Sequence, residues 1–338
     1  MPQPQTPTPQ GGTPAMFASR ETECGRVAFL GMLQDYRRSL HTLRDWLRFA
    51  VSLFTRENLF HGQGATTAFD EAVWLLQHTL HLPHEGLETF LDAHLIDSEK
   101  DAILHVLEQR VFDHKPTAYI TRQAWLGDFS FRVDHRVIIP RSYFTEIIPE
   151  QLNHWIPDPD TVTRIADICT GSACLAILLA SAYENAHVDA TDISPEALEV
   201  ASLNLEDYQL QKRITLHCTD VLEGLTPGGA GYDLIVCNPP YEPQAILATL
   251  PPELCHEPAQ ALVSGEDGLD VIRKLFPQAA ESLAPHGILL IETGGLRSTL
   301  ENLFPELEFH WLHTHDRSDC IALIHATSLR KIFPQIQP

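Results

Sequence analysis

Ile165-Ala-Asp-Ile-Cys-Thr-Gly171-Ser-Ala-Cys-Leu175-Ala-Ile-Leu-Leu-Ala180 is the stretch from which the fold can be read. A short apolar run over 165–168 ends in a turn containing Gly171 and leads straight into an apolar helical run over 175–180. Further apolar runs over 188–190, 214–217, 234–237 and 288–291 repeat the strand texture, with helical stretches after the first two strands and before the last. Short apolar strands alternating with helices predict a parallel sheet covered on both faces, because a strand buried on both sides needs no polar alternation. Ligands of such sheets bind beyond the carboxyl ends of the strands. The residues just after each strand are therefore the candidates for function.

After the first strand, Gly171 lets a ligand approach the backbone, and the following helix favours a negative group at its amino end. A dinucleotide site would need three glycines as G-x-G-x-x-G, and only Gly171 is present, which argues against NAD. After the second strand, Asp192 stands 25 positions beyond Asp167 and is placed to accept the ribose hydroxyls of a nucleoside. Asp192 or Ser194 can also simply cap the helix that opens at Pro195. Asp220 follows the third strand, where a carboxylate can accept a hydrogen bond from an adenine amino group. After the fourth strand comes Asn238-Pro239-Pro240-Tyr241. Two prolines remove backbone donors and stiffen the loop. The Asn238 side-chain oxygen and the Pro239 carbonyl can then accept both hydrogens of one NH2 group. Tyr241 offers a flat face to a planar amide or base.

Outward from this core, residues 1–18 are expected to be a disordered tail, opening on a segment rich in Pro, Gln, Thr and Gly. A helical domain is expected over 19–112. Leu40, Leu43, Trp46, Leu47, Ala50 and Leu53 fall at spacings of three and four, as do Phe69, Val73, Leu76 and Leu80. Thr67 marks a helix start and Pro83 its end; a further helix from Ser98 carries Ile103, Leu104, Leu107 and Val111. His78 and His81 lie one turn apart, but Pro83 intervenes before His84 and no carboxylate or Cys completes a set, so no metal site is expected. Residues 113–140 read as a β-hairpin linker: Phe129, Phe131 and Val133 alternate, Gly127-Asp128 is a turn signal, and Val137-Ile138-Ile139 is β-branched. The catalytic domain is expected over 141–330, and a tail over 331–338.

Composition narrows the function classes. The 338 residues include 45 Asp and Glu against 23 Lys and Arg, a formal charge of −22, which repels a phosphate backbone and either attracts a basic protein or serves only to keep the chain soluble. Seven scattered cysteines form no Cys-x-x-Cys pair, and the sequence opens on no secretory signal; both fit reduced thiols in the cytoplasm. No uninterrupted apolar run approaches the roughly 20 residues of a membrane span.

Taken together, Asp167-Ile-Cys-Thr-Gly171-Ser, the acidic end of the second strand and Asn238-Pro239-Pro240-Tyr241 resemble class I methyltransferases that modify planar NH2 nitrogens. Adenine-N6 nucleic-acid methyltransferases and protein glutamine-N5 methyltransferases share the last motif. Pro140-Arg141-Ser142 with Glu146, Ala118-Tyr119-Ile-Thr121 with Trp125 and Gly127, Phe131-x-Val133-Asp134, His256-Glu257-Pro258 and Gly265-Glu-Asp267-Gly268 are similar to the glutamine group. Pro140-Arg141-Ser142-Tyr-Phe-Thr-Glu146, with the segments around Trp46 and Trp74, resembles the branch acting on protein L-three of the large ribosomal subunit rather than the branch acting on release factors at Gly-Gly-Gln. Ala173 stands where the family has a second Gly, Thr145 follows the release-factor pattern, and Thr293-Gly294 replaces a Val-Gly continuation.

The resemblance implies an α/β fold: a Rossmann-like, seven-stranded sheet with a small N-terminal helical domain and a connecting hairpin. It implies S-adenosyl-L-methionine as cofactor, with S-adenosyl-L-homocysteine as product, and a ribosomal protein as partner, without nucleic acid, membrane or metal. Asn238, Pro239, Pro240 and Tyr241 would be catalytic. Asp167, Thr170, Gly171, Asp192, Ile193, Asp220 and Asn238 would hold the cofactor. Arg141, Glu146 and Glu257 would lie on the substrate side, and the helical domain would grip the protein substrate. The competing readings are an adenine-N6 methyltransferase and a binding protein that retains the fold without the chemistry.

Overall fold

The computed structural model describes residues 23–148 and 151–334, so the tail expected over 1–18 and the end of the one over 331–338 lie outside the described residues. The chain divides into two compact units, Met1–Thr121 and Arg122–Pro338.

The first unit is helical: α1 (Glu23–Ser39), α2 (Leu43–Arg56), α3 (Ala68–Thr79), α4 (Asp97–Val111) and α5 (Thr117–Thr121). Its core gathers Trp46, Leu53, Phe54, Leu75 and Leu107. Leu40 shares the predicted spacing but is not on α2. Thr42 caps that helix by accepting from the Asp45 N–H, while the Asp45 carboxylate accepts from the Thr42 N–H, and this reciprocal pair fixes the start at Leu43. The buried face of α3 is also displaced from the predicted one. Phe69 is 54% exposed, and Ala72, Leu75 and Leu76 point inward with Glu71. The cause is the Glu71 carboxylate, which accepts from Arg110 Nε (2.7 Å) and Thr117 Oγ1 (2.8 Å) and contacts His61 Nδ1. α3 stops at Thr79, before Pro83, and His81 then takes a left-handed φ of 55°. Thr117–Thr121 is helical rather than part of the hairpin, with the Tyr119 and Ile120 N–H groups bonded to the Pro116 carbonyl.

The second unit opens with the hairpin β1 (Gln123–Leu126) and β2 (Phe129–Arg132), turned at Gly127-Asp128. Val137-Ile138-Ile139 is not a strand; Val137 and Ile139 are buried as irregular chain ahead of α6 (Phe144–Ile147). The remaining elements are β3 (Arg164–Ile168), α7 (Cys174–Ala182), β4 (His187–Asp192), α8 (Pro195–Tyr208), β5 (Ile214–Cys218), β6 (Tyr232–Cys237), α9 (Ala259–Leu262), α10 (Asp270–Ser282), β7 (Leu283–Glu292), α11 (Arg297–Leu303), β8 (His310–Leu312), β9 (Ile321–His325) and α12 (Ala326–Ile332). The hairpin is pinned to α8 by Asn204, which accepts from the Arg132 N–H and donates to the Arg132 carbonyl, and by Tyr208, bonded to both backbone groups of Ser130.

β3 to β9 form one seven-stranded sheet in the order β5-β4-β3-β6-β7-β9-β8. The five predicted strands are parallel, and β3 bears β4 on one side and β6 on the other, so the chain reverses its direction of winding there. That reversal opens a crevice at the carboxyl ends of the strands. β9 and β8 are antiparallel additions at the edge beyond β7. Among the described residues, no helix is long and apolar enough to cross a membrane, and no group of three or more His, Cys, Asp or Glu is placed to hold a metal ion.

Candidate active site

The turn after β3 is built from backbone forced into unusual conformations. Cys169, Gly171 and Ala173 have φ values of 58°, 55° and 63°. Glycine takes this left-handed region freely, whereas an L side chain costs about 1–2 kcal/mol there. Ala173, the residue in place of the family's second glycine, therefore adopts a glycine-like conformation while wholly buried at the start of α7. Val221, after β5, likewise takes a left-handed φ of 58°.

Asp167 is completely buried. Its Oδ2 accepts from Thr170 Oγ1 (2.5 Å), and its Oδ1 has no protein partner. Burial, only partly offset by Thr170 and the Ala176 N–H, pushes its carboxyl up to about 7. An orphaned acceptor at this depth fits a ligand that brings its own donor, as the ammonium of an amino acid does. Asp192 ends β4; Oδ2 accepts from the Gly171 N–H and Oδ1 from the Ser194 N–H, both at 2.9 Å. Burial pushes this carboxyl up as well, against the pull of those N–H groups. Ser194 is the cap of α8, accepting from the Ala197 N–H, so the capping half of the expectation falls to Ser194. Each Asp192 oxygen keeps acceptor capacity for a diol. Ile193 beside it is 52% exposed, an apolar face available to a planar ring. Asp220 differs from expectation in one respect: Lys274 of α10 ion-pairs with its Oδ2, leaving Oδ1 for a ligand.

At the end of β6, Asn238 is half-buried and Pro239 buried. Two glycines hold the loop that follows. A Cβ on Gly268 would stand 2.2 Å from the Tyr241 carbonyl oxygen, and one on Gly294 would stand 2.7 Å from the Tyr241 ring. The next residue is tied down by backbone bonds, Glu242 N–H to the Leu262 carbonyl and Ser264 N–H to the Glu242 carbonyl. Burial pushes the Tyr241 hydroxyl up to about 12, so the ring packs and does not titrate near neutrality.

Of the three expected substrate-side residues, two meet. Arg141 makes a two-pronged ion pair with the fully buried Glu257 carboxylate, at 2.6 and 2.7 Å. Glu146 stands apart from this pair and accepts from the His315 N–H in the loop between β8 and β9. Sequence reasoning passed over Glu292, which ends β7 and accepts from Ser142 Oγ at 2.6 Å. The clue was available: like Asp192, it is an acid closing an apolar strand.

A family model for the methyltransferase small domain matches residues 150–268. The chain is 49% identical to the ribosomal protein uL3 glutamine methyltransferase of Neisseria gonorrhoeae, over 84% of this chain and 94% of that protein. It is 46% identical to the protein of the same name from Bordetella pertussis, over 87% of this chain and 98% of the relative. Identity to the Bradyrhizobium diazoefficiens protein of that name is 40%, over 92% of this chain and 99% of the relative.

Proposed function

The chain belongs to the ribosomal protein uL3 glutamine methyltransferase family, and from that premise we propose that it transfers a methyl group from S-adenosyl-L-methionine to the side-chain amide nitrogen of a glutamine in uL3. The observation that carries the chemistry is Asn238-Pro239-Pro240-Tyr241 at the carboxyl end of β6, beside the β3 crevice. The acidic surface favours a basic ribosomal protein over a nucleic acid, and on this reading the free thiols suit a reducing cytoplasm.

An amide nitrogen is a poor nucleophile because its lone pair is shared with the carbonyl. Asn238 Oδ1 and the Pro239 carbonyl accept its two hydrogens, lessen that sharing and aim the lone pair at the cofactor. The same two acceptors would stabilise the positive charge that develops on nitrogen as the N–CH3 bond forms and the sulfonium S–CH3 bond breaks. The methylated nitrogen then loses one proton to solvent. Tyr241, braced by Gly294, bounds the plane in which the amide lies. S-adenosyl-L-methionine, when bound, supplies an electrophilic methyl group on a sulfonium. Asp192 would hold its ribose, Ile193 and Asp220 its adenine, and Asp167, Thr170 and Gly171 its methionine end. The helical unit would engage uL3.

The direct test offers tritiated S-adenosyl-L-methionine with unmethylated uL3, a release factor or DNA. Label confined to one uL3 glutamine is expected; label on the release factor or on DNA would overturn the substrate. The cofactor assignment has its own test. Asp192→Asn is expected to weaken S-adenosyl-L-methionine binding about 10–100-fold in calorimetric titration, the loss of one or two hydrogen bonds to a charged acceptor. Unchanged affinity would remove Asp192 from the site.

A further inference from the structure

We infer that Glu292 is a positioning residue for methyl transfer, holding in its ionised form the Pro140-Arg141-Ser142 turn and Tyr241 around the acceptor amide. This rests on the function proposed above. The sheet register places Glu292 there: Ile291 pairs with Cys237, so the next residues, Glu292 and Asn238, stand side by side at the carboxyl edge. Glu292 is buried, accepts from Ser142 Oγ and from the Tyr143 N–H, and lies two residues before the glycine on which the Tyr241 ring rests. Ser142 is next to Arg141, whose guanidinium is paired with Glu257 in the segment following the Asn238 loop. The carboxylate is thus tied on one side to the turn that carries Arg141 and on the other to the backbone supporting Tyr241.

Both bonds that Glu292 accepts require lone pairs. Protonation removes the negative charge that strengthens both bonds and leaves them neutral and weaker, so the turn is held less tightly when Glu292 is neutral. Burial pushes this carboxyl up to about 7 against the pull of Ser142, the Tyr143 N–H and the Arg141 charge. The other groups facing it do not titrate there. Arg141 stays charged, Tyr241 and Tyr143 are pushed up to about 12, and burial raises the Cys320 thiol. Asp167, across the crevice, also lies at about 7, so a pH profile alone does not identify the group and variants are needed.

The experiment measures single-turnover methylation of uL3 between pH 5.5 and 8.5 for the whole chain, Glu292→Gln and Ser142→Ala, with the affinity for S-adenosyl-L-methionine measured alongside. The wild-type rate is expected to fall about tenfold per unit below an inflection near 7. Glu292→Gln is expected to bind the cofactor normally and to react slowly and evenly across the range. Ser142→Ala, lacking a bond that favours the carboxylate, is expected to move the inflection upward. An inflection that persists in Glu292→Gln assigns it to Asp167 and overturns the inference. So does an inflection unmoved by Ser142→Ala, or a wild-type rate independent of pH. A wild type that does not methylate uL3 at all overturns the proposed function instead.

Discussion

Replacing Asn238 with alanine is expected to lower the rate of methyl transfer about a thousandfold while changing S-adenosyl-L-methionine affinity no more than about threefold. Removing one preorganised polar group from a reacting centre costs on the order of a hundred- to a thousandfold. On the proposed mechanism the same oxygen would also orient the nitrogen, so the upper figure is expected. The Pro239 carbonyl would hold one hydrogen of the amide, leaving the plane free to rotate about that bond. On the proposed assignment, cofactor affinity would be carried mainly by Asp192, Asp167 and the β3 turn, which the variant leaves alone. Single-turnover kinetics beside calorimetric titration separates the two quantities. A rate within tenfold of wild type would mean that Asn238-Pro239 is not the amide cradle.

The second large effect belongs to the helical unit. Glu71→Ala is expected to destabilise it by about 3–5 kcal/mol, because it strands the Arg110 guanidinium, 1% exposed, without its carboxylate. Burial would raise the Glu71 carboxyl, but His61, Arg110 and Thr117 outweigh it and hold the group below the usual carboxylate range. A depressed value in the folded state means the stabilisation is complete above the unfolded pKa of about 4.3 and disappears as pH falls through the depressed value. In urea the unfolding midpoint of this unit should drop by about 2 M at neutral pH, with a smaller difference between wild type and variant in acid. The transition of the seven-stranded unit should not move. A neutral-pH difference below about 1 kcal/mol would show that the network is not structural.

The five parallel strands were legible as apolar runs, four of them marked by a chemically distinctive residue in or just after the strand: Asp167, Asp192, Asp220 or Asn238. β8 and β9 were not. His310–Leu312 has only three residues, and it is recruited by antiparallel pairing with β9, itself held by β7. Local signals also misplaced the helical faces. Leu40 and Phe69 fit the helical spacing, yet Thr42 with Asp45 and the buried Glu71 decided the outcome by hydrogen bonding, which apolar periodicity does not register. In the candidate site, residue identity drew attention to the Asn238-Pro239-Pro240-Tyr241 loop, which the structure places at the carboxyl end of β6. The partners of Arg141 and Ser142 were hidden, because Glu257 and Glu292 lie 116 and 150 positions further along the chain.

The placement of β9 between β7 and β8 has a consequence for assembly during synthesis. β8 emerges first, but its only partner is β9, so it cannot cover β7. The run Ile288–Ile291 therefore waits with a bare apolar edge until Ile321–His325 has left the ribosome. At roughly 5–20 residues per second that wait lasts several seconds, during which the edge can pair with any other strand it meets. The last strand to be made is thus the one that shields the nascent chain from sticking to its neighbours. It also brings Ile321 alongside Glu292, so the protected edge and the finished site arrive in the same step.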